Sequence, residues 1–75
     1  MPADCAAVID SLIEQRRKRG MTQKDLAKAT SLTQSAIARL ESKKAVPQLD
    51  TLLKVAAALH CTFTIIPENI SADRL

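Results

Sequence analysis

Apolar side chains recur every three or four residues in four stretches of this 75-residue chain, which is the spacing of one helix face. In the first stretch the stripe is Val8, Ile9, Leu12 and Ile13, and in the third it is Ala36, Ile37 and Leu40. In the fourth, the core stripe is expected to be Leu49, Leu52, Leu53, Ala56 and Leu59. The pattern predicts a mainly α fold, with helices over about residues 3–19, 22–30, 33–42 and 49–59.

The helix boundaries follow from residues that favour helix ends. Gly20 is expected to end the first helix, because glycine adopts the left-handed backbone that closes helices. Thr22 and Asp25 have the spacing of a capping box at the start of the second helix. Thr33 is expected to cap the third helix after a short turn. Two short helices joined by a tight turn are a helix-turn-helix arrangement.

After His60 the pattern changes from helical to extended. Residues 62–66 are β-branched or aromatic throughout and end at Pro67, which predicts a strand. Since everything before it is helical, the strand has no partner in its own chain, and we expect two copies to pair antiparallel as a homodimer. An irregular extended segment lying on its own core is the alternative. The predicted dimerisation residues are Thr62, Phe63, Thr64, Ile65 and Ile66.

Alternation along this strand places Cys61, Phe63 and Ile65 on one side, which is expected to cover the helical core near the first and fourth helices. Thr62, Thr64 and Ile66 are expected to lie outward. Residues 1–67 are therefore interpreted as one domain and residues 68–75 as a flexible tail.

Three segments together resemble one family. They are TQKDLA at residues 22–27, LTQSAIARLE at 32–41 and LLKVAAAL at 52–59, with Pro47 between the last two. In this order they are similar to the Cro/repressor-type (Xre family) helix-turn-helix domain, and the similarity covers about residues 8–61. The resemblance implies a four- to five-helix domain that binds double-stranded DNA, with the third helix in the major groove.

The resemblance also assigns roles to residues. At the start of the third helix, Gln34 and Ser35 match base-contacting positions, with Arg39 one turn later; glutamine pairs well with adenine and arginine with guanine. Gln23 matches a position that hydrogen-bonds a phosphate at a helix N-terminus. The candidate DNA-binding residues are Gln23, Thr33, Gln34, Ser35, Arg39, Ser42, Lys43 and Lys44.

The resemblance gives Arg16 a structural role, as the partner of Glu41 in an ion pair that ties the first helix to the third. This sequence departs from the family pattern in three places. Ser31 stands where the family usually has glycine, and Lys43 stands where it usually has glycine or asparagine. Gln48 stands where a small residue with a hydroxyl group usually caps the fourth helix. If Ser31 and Lys43 keep positive φ angles, each is expected to cost about 1 kcal/mol.

The charge of the chain is concentrated in its middle. Residues 16–44 hold nine basic and two acidic side chains, a balance of +7, whereas the whole chain carries +3. Charge alone leaves a solvated basic face and a polyanion-binding patch equally open. There is no Trp or Tyr and only one Gly, which excludes aromatic base-stacking platforms and glycine-rich phosphate loops.

Candidate catalytic and metal-binding groups are few. Cys5, Cys61 and His60 are too few for a metal site, so no metal and no cofactor are expected. The two cysteines are interpreted as buried reduced thiols of a cytoplasmic protein, and His60 as a helix-end residue. No apolar run reaches the roughly 20 residues of a membrane span, and no catalytic set is present, so neither a membrane protein nor an enzyme is expected.

Three interpretations of function remain at this point. The first is a dimeric repressor of its own operon that binds a palindromic operator and is the antitoxin of a toxin partner. The second is a stand-alone phage-type or regulatory repressor. The third is a protein-interaction adaptor that uses the same fold.

Overall fold

The computed structural model describes residues 3–67, and the predicted tail at 68–75 lies outside the described residues. Within them the chain forms four helices and no strand, so the mainly α prediction is confirmed. The helices begin and end within about one residue of the predicted boundaries. They are α1 (Ala3–Lys18), α2 (Gln23–Thr30), α3 (Gln34–Ser42) and α4 (Leu49–Ala58).

A single apolar core holds the helices together. The second helix packs against α3 and α4, and α1 packs against α3. Ile9, Ile37 and Leu59 are almost completely buried at the centre of this core. Met21, Leu32 and Cys61, which each follow a helix end, pack against its edge. The full set of buried apolar residues is Ile9, Leu12, Leu26, Ala27, Ile37, Leu40, Val55, Ala56 and Leu59.

The predicted core stripe of α4 is partly wrong. Leu49 is 68% exposed and Leu53 is 47% exposed, whereas Val55, absent from the predicted stripe, is fully buried. The reason is that α4 is apolar around most of its circumference, so two overlapping stripes fit the helical spacing equally well. Contact with α2 selects the stripe that contains Val55, Ala56 and Leu59.

A reciprocal pair of hydrogen bonds begins α2. The backbone N–H of Asp25 donates to Thr22 Oγ1 at 3.0 Å, and the N–H of Thr22 donates to Asp25 Oδ2 at 2.9 Å, so the predicted capping box is present. The Thr22 backbone N–H, then its side chain, and the charge of Lys28 lower the pKa of Asp25 below its ordinary value of 3.8. Because the folded pKa is the lower one, this cap stabilises the fold at neutral pH and is lost as the pH falls below 3.8.

All four helices are followed by a residue with left-handed backbone. Gly20 has φ +67°, and the non-glycine residues Ser31, Lys43 and His60 have φ angles of 60°, 60° and 56°. After α1, α2 and α4 the next residue closes the turn: the N–H groups of Met21, Leu32 and Cys61 donate to carbonyls five residues back, at 2.8–3.1 Å. These side chains also pack on the core, so burial beyond each helix end holds the left-handed residue in place.

Replacing Ser31 by glycine is expected to stabilise the domain. A side chain at this φ angle costs about 1 kcal/mol, and the gain is partly offset by the greater freedom of glycine in the unfolded chain. We expect Ser31→Gly to raise the free energy of unfolding by about 0.5–1 kcal/mol, or Tm by about 3–6 °C, in a thermal melt. Ser31→Ala is the matched control, and a Gly variant no more stable than the Ala variant would contradict the strain argument.

The segment after α4 forms neither helix nor strand within the single chain. Cys61 packs against the core and Phe63 is 39% exposed, but Ile65 is 95% exposed. The prediction that Ile65 covers the helical core of its own chain is therefore wrong, because the segment no longer lies against that core at this residue. Pairing of residues 62–66 with a second copy stays a prediction.

Candidate nucleic-acid interface

The third helix has one face in the core and one in solvent. Ile37 and Leu40 are buried, while Gln34, Ser35 and Arg39 are exposed. Thr33 caps the start of α3, and its Oγ1 accepts a hydrogen bond from the backbone N–H of Ala36 at 3.1 Å. This cap occupies the threonine hydroxyl, while the Thr33 side chain is exposed like those of Gln34 and Ser35. The exposed face offers an amide, a hydroxyl and a guanidinium, which are the groups that hydrogen-bond base edges.

Arg16 and Glu41 form an ion pair whose side chains are each only 10% exposed. Arg16 Nε donates to Glu41 Oε2 at 2.7 Å and Nη2 donates to Oε1 at 3.0 Å, a bidentate arrangement. Its remaining nitrogen, Nη1, donates to the carbonyl oxygen of Met21 at 2.7 Å. One side chain of α1 therefore fixes both the end of α3 and the turn that leads into α2.

Gln23 is the first residue of α2, and its side chain joins this network. Its Nε2 donates to Glu41 Oε1 at 3.1 Å, so the amide is held by the end of α3 before any DNA is present. A side-chain amide has a second N–H and a carbonyl oxygen, which stay chemically able to bond a phosphate. Sequence reasoning missed this contact, since the two residues lie 18 positions apart and Glu41 already had an assigned partner.

The last residue of α3, Ser42, and the loop after it carry the remaining candidate residues. Ser42 Oγ donates to the carbonyl of Arg39 at 2.6 Å, and the N–H of Lys44 donates to Ser42 Oγ at 3.4 Å. Lys43 Nζ lies 2.6 Å from Asp10 Oδ1, an ion pair between this loop and α1 that sequence reasoning also missed. Both partners are partly exposed, so the pair is weak and a phosphate could compete for the lysine. Lys44 is exposed.

Exposed positive charge extends from α3 onto α2. Lys24 and Lys28 on α2 are exposed, as are Arg39 and Lys44. On α1, Arg17 and Arg19 are exposed too, and Lys18 pairs with Glu14 at 3.1 Å on the same helix. The basic residues found in the sequence between 16 and 44 are therefore mostly solvent-facing, apart from Arg16 in its ion pair.

Other kinds of site have little support in the part of the chain that the structure describes. Over residues 3–67, no three histidine, cysteine or acidic side chains cluster closely enough to hold a metal ion. Cys5 and Cys61 are free thiols and half-buried. The described helices include none with the length and apolar character needed to cross a membrane.

Comparisons with known proteins agree with this geometry. A helix-turn-helix family model, HTH_3, matches residues 12–66. An uncharacterized HTH-type transcriptional regulator of Haemophilus influenzae is 43% identical over 64 residues, which are 85% of this chain and 65% of that protein. This chain thus spans just under two thirds of its relative.

A solved structure extends the likeness to three dimensions. A chain of a toxin–antitoxin module from Streptococcus pneumoniae superposes with a TM-score of 0.70 at 43% identity, over 84% of this chain and 69% of that one. The family match alone covers more than half of the chain and includes α2, the turn and α3. The chain therefore belongs to the Xre-type helix-turn-helix family, which is a family of DNA-binding transcription regulators and not a class of enzymes.

Proposed function

We propose that the chain acts in the cytoplasm as a dimeric repressor that binds a palindromic operator in double-stranded DNA. The observation that carries the proposal is the exposed face of α3, where Gln34, Ser35 and Arg39 stand free of the core that holds the opposite face. In this proposal α3 lies in the major groove with its N-terminal end toward the bases. A palindromic operator fits a two-fold symmetric dimer, because each copy meets an identical half-site.

Phosphate contacts surround the base contacts in this proposal. The N-terminus of α2 presents unbonded N–H groups and the positive end of its dipole, and Gln23 stands there with its amide anchored by Glu41. Lys44 and Ser42 contact the backbone beyond α3. Lys43 joins them by exchanging Asp10 for a phosphate, an exchange between two surface ion pairs that costs little.

We further propose that the chain is an antitoxin that binds a toxin protein and represses its own operon. Support comes from the toxin–antitoxin module of Streptococcus pneumoniae, one chain of which shares 43% identity with this one. The stand-alone repressor shares the same DNA mechanism and differs only in lacking a toxin. Co-expression with the product of the adjacent gene separates the two: a stable 1:1 or 2:2 complex on gel filtration supports the antitoxin, and separate elution favours the stand-alone repressor.

The DNA proposal predicts two classes of variant. Gln34→Ala and Arg39→Ala are each expected to weaken operator binding by about 1–3 kcal/mol and to relax the preference at one base pair. Lys44→Ala is expected to weaken binding to all DNA sequences by the same factor. It is also expected to reduce the slope of log affinity against log salt concentration by about one. Fluorescence anisotropy with DNA from upstream of the gene and with scrambled DNA, at several salt concentrations, measures both effects.

Lys54→Ala is the matched control, because Lys54 is an exposed lysine on α4 and is not one of the candidate DNA-binding residues. It is expected to leave both affinities nearly unchanged. If Gln34→Ala and Arg39→Ala lowered the affinities for operator DNA and scrambled DNA equally, the proposed base contacts of Gln34 and Arg39 would be refuted. If the protein bound no duplex DNA even at low salt, the repressor would give way to the protein-interaction adaptor.

A further inference from the structure

A shallow, mainly apolar groove runs along α1 where the segment after α4 lies beside it. It is lined by Val8, Ser11, Leu12 and Gln15 of α1 and by residues 61–64, Phe63 among them, of the segment after α4. Leu12 belongs to the core and Val8 packs against it, so the groove is a continuation of the core at the surface. Its polar lining groups are the hydroxyls of Ser11, Thr62 and Thr64 and the amide of Gln15, and among the described residues no charged side chain lines it that would suit an ionic ligand.

Two residues beyond Phe63, the chain presents an apolar side chain to water. Ile65 is 95% exposed, although it lies on the same side of the predicted strand as Cys61, which packs against the core, and Phe63, which lines the groove. In the single chain, the Ile65 side chain is hardly buried and therefore contributes little hydrophobic stabilisation. Its apolar character is explained if it is buried in a second copy.

Antiparallel pairing of residues 62–66 places Ile65 in a defined position. If Thr64 lies opposite Thr64 of the second copy, Ile65 is opposite Phe63 of that copy and on the same face of the ribbon. Phe63 borders the α1 groove, so this register directs Ile65 toward the groove of the other copy. We propose that the α1 groove of each copy seats Ile65 of the other, so that the ribbon and two symmetric grooves form one interface.

The area that a stable dimer needs favours a second copy as the occupant. A five-residue, two-stranded ribbon is marginal alone, and stable dimers bury roughly 800 Å² on each partner. Two seated isoleucines, each packed against a phenylalanine and α1, extend the buried apolar surface well beyond the ribbon. The inference rests on the dimer of the proposed function and specifies which surface of the helical core that dimer uses.

Filling the groove tests the proposal on the full-length chain. Ser11 is exposed and lines the groove, so Ser11→Arg blocks the groove without removing a core or ribbon side chain. We expect it to raise the dimer dissociation constant at least about tenfold in sedimentation equilibrium without DNA. Glu14→Arg is the control: it lies on α1 outside the groove, changes the charge more, and is expected to leave the constant nearly unchanged.

Two further variants separate the ways in which the proposal can fail. Ile65→Asp is expected to weaken the dimer as Ser11→Arg does, whereas Leu53→Asp, on the exposed side of α4, is expected to leave it intact. If Ile65→Asp weakened the dimer and Ser11→Arg did not, the two-stranded ribbon would remain supported, but the proposal that the groove seats Ile65 would be wrong. A dimer weakened only by Leu53→Asp would move the interface to α4, and a monomeric wild type would overturn the proposed dimer itself. Circular dichroism of each variant checks that the helices remain.

Discussion

Replacing Arg16 by alanine is expected to lower the free energy of unfolding by about 3–5 kcal/mol, because Glu41 would keep a buried negative charge without its partner. The carbonyl of Met21 would lose its donor at the same time. A domain of 75 residues has roughly 4–11 kcal/mol of stability in total, so this loss is a large share. In a thermal melt we expect a decrease in Tm of more than about 12 °C, or a chain that is largely unfolded.

Arg17→Ala is the matched control, since Arg17 is the next residue of α1 and is exposed. It is expected to shift Tm by no more than a few degrees. The double variant Arg16→Met with Glu41→Leu removes both charges and is expected to recover part of the loss, because apolar residues often replace a buried ion pair well. Recovery should be incomplete, as Gln23 and Met21 still lose their partners. An Arg16→Ala protein with normal Tm and weaker DNA binding would place Arg16 at the phosphates.

The network around Glu41 links the stability of the domain to the position of the proposed DNA-binding residues. Its carboxylate accepts hydrogen bonds from Arg16 inside the domain and from Gln23 at the start of α2, so one carboxylate holds both side chains in place. A shift of α3 relative to α1 would therefore also move the amide proposed to bond a phosphate. Variants that loosen the ion pair without unfolding the chain are expected to lose DNA affinity partly through this displacement of Gln23.

Local chemistry explains why the helix boundaries could be predicted. Capping at Thr22 and Thr33 depends on residues within three positions, and the left-handed turns at Gly20 and Ser31 depend on the helix end itself. Such short-range interactions depend on only a few adjacent residues, so they can be recognised in the sequence without a structure. Backbone strain at Ser31 and Lys43 was expected only if these residues kept positive φ angles, and both do.

The buried face of α4 and the contacts within the candidate interface depend instead on distant residues. Leu53 and Val55 are equally apolar, and only the position of α2 decides which of them is buried. The pairing of Lys43 with Asp10 spans 33 positions, and no spacing in the sequence marks it. The exposure of Ile65 likewise depends on where the chain leaves the core, which alternation along a strand does not determine.

Deleting residues 61–75 is expected to yield a monomer that keeps its four helices. The nine buried apolar core residues all precede this cut, since the last of them is Leu59, so the helical circular dichroism should persist. The loss of the Cys61 N–H bond to Ala56, 2.8 Å long, is expected to lower Tm modestly. Sedimentation at micromolar concentration should then show a single monomeric species, because the ribbon and Ile65 are gone.

The same deletion is expected to weaken binding to a full palindromic operator by at least about a hundredfold, because each half-site must then be bound independently. Binding to an isolated half-site should change little, since α3 and the loop after it are intact. A chain ending at Pro67 is the matched control: it keeps residues 61–67 and is expected to dimerise and bind the palindrome like the full chain. If the chain ending at His60 still sedimented as a dimer, the helices would form the interface, and the exposed leucines of α4, Leu49 and Leu53, would be the first residues to test.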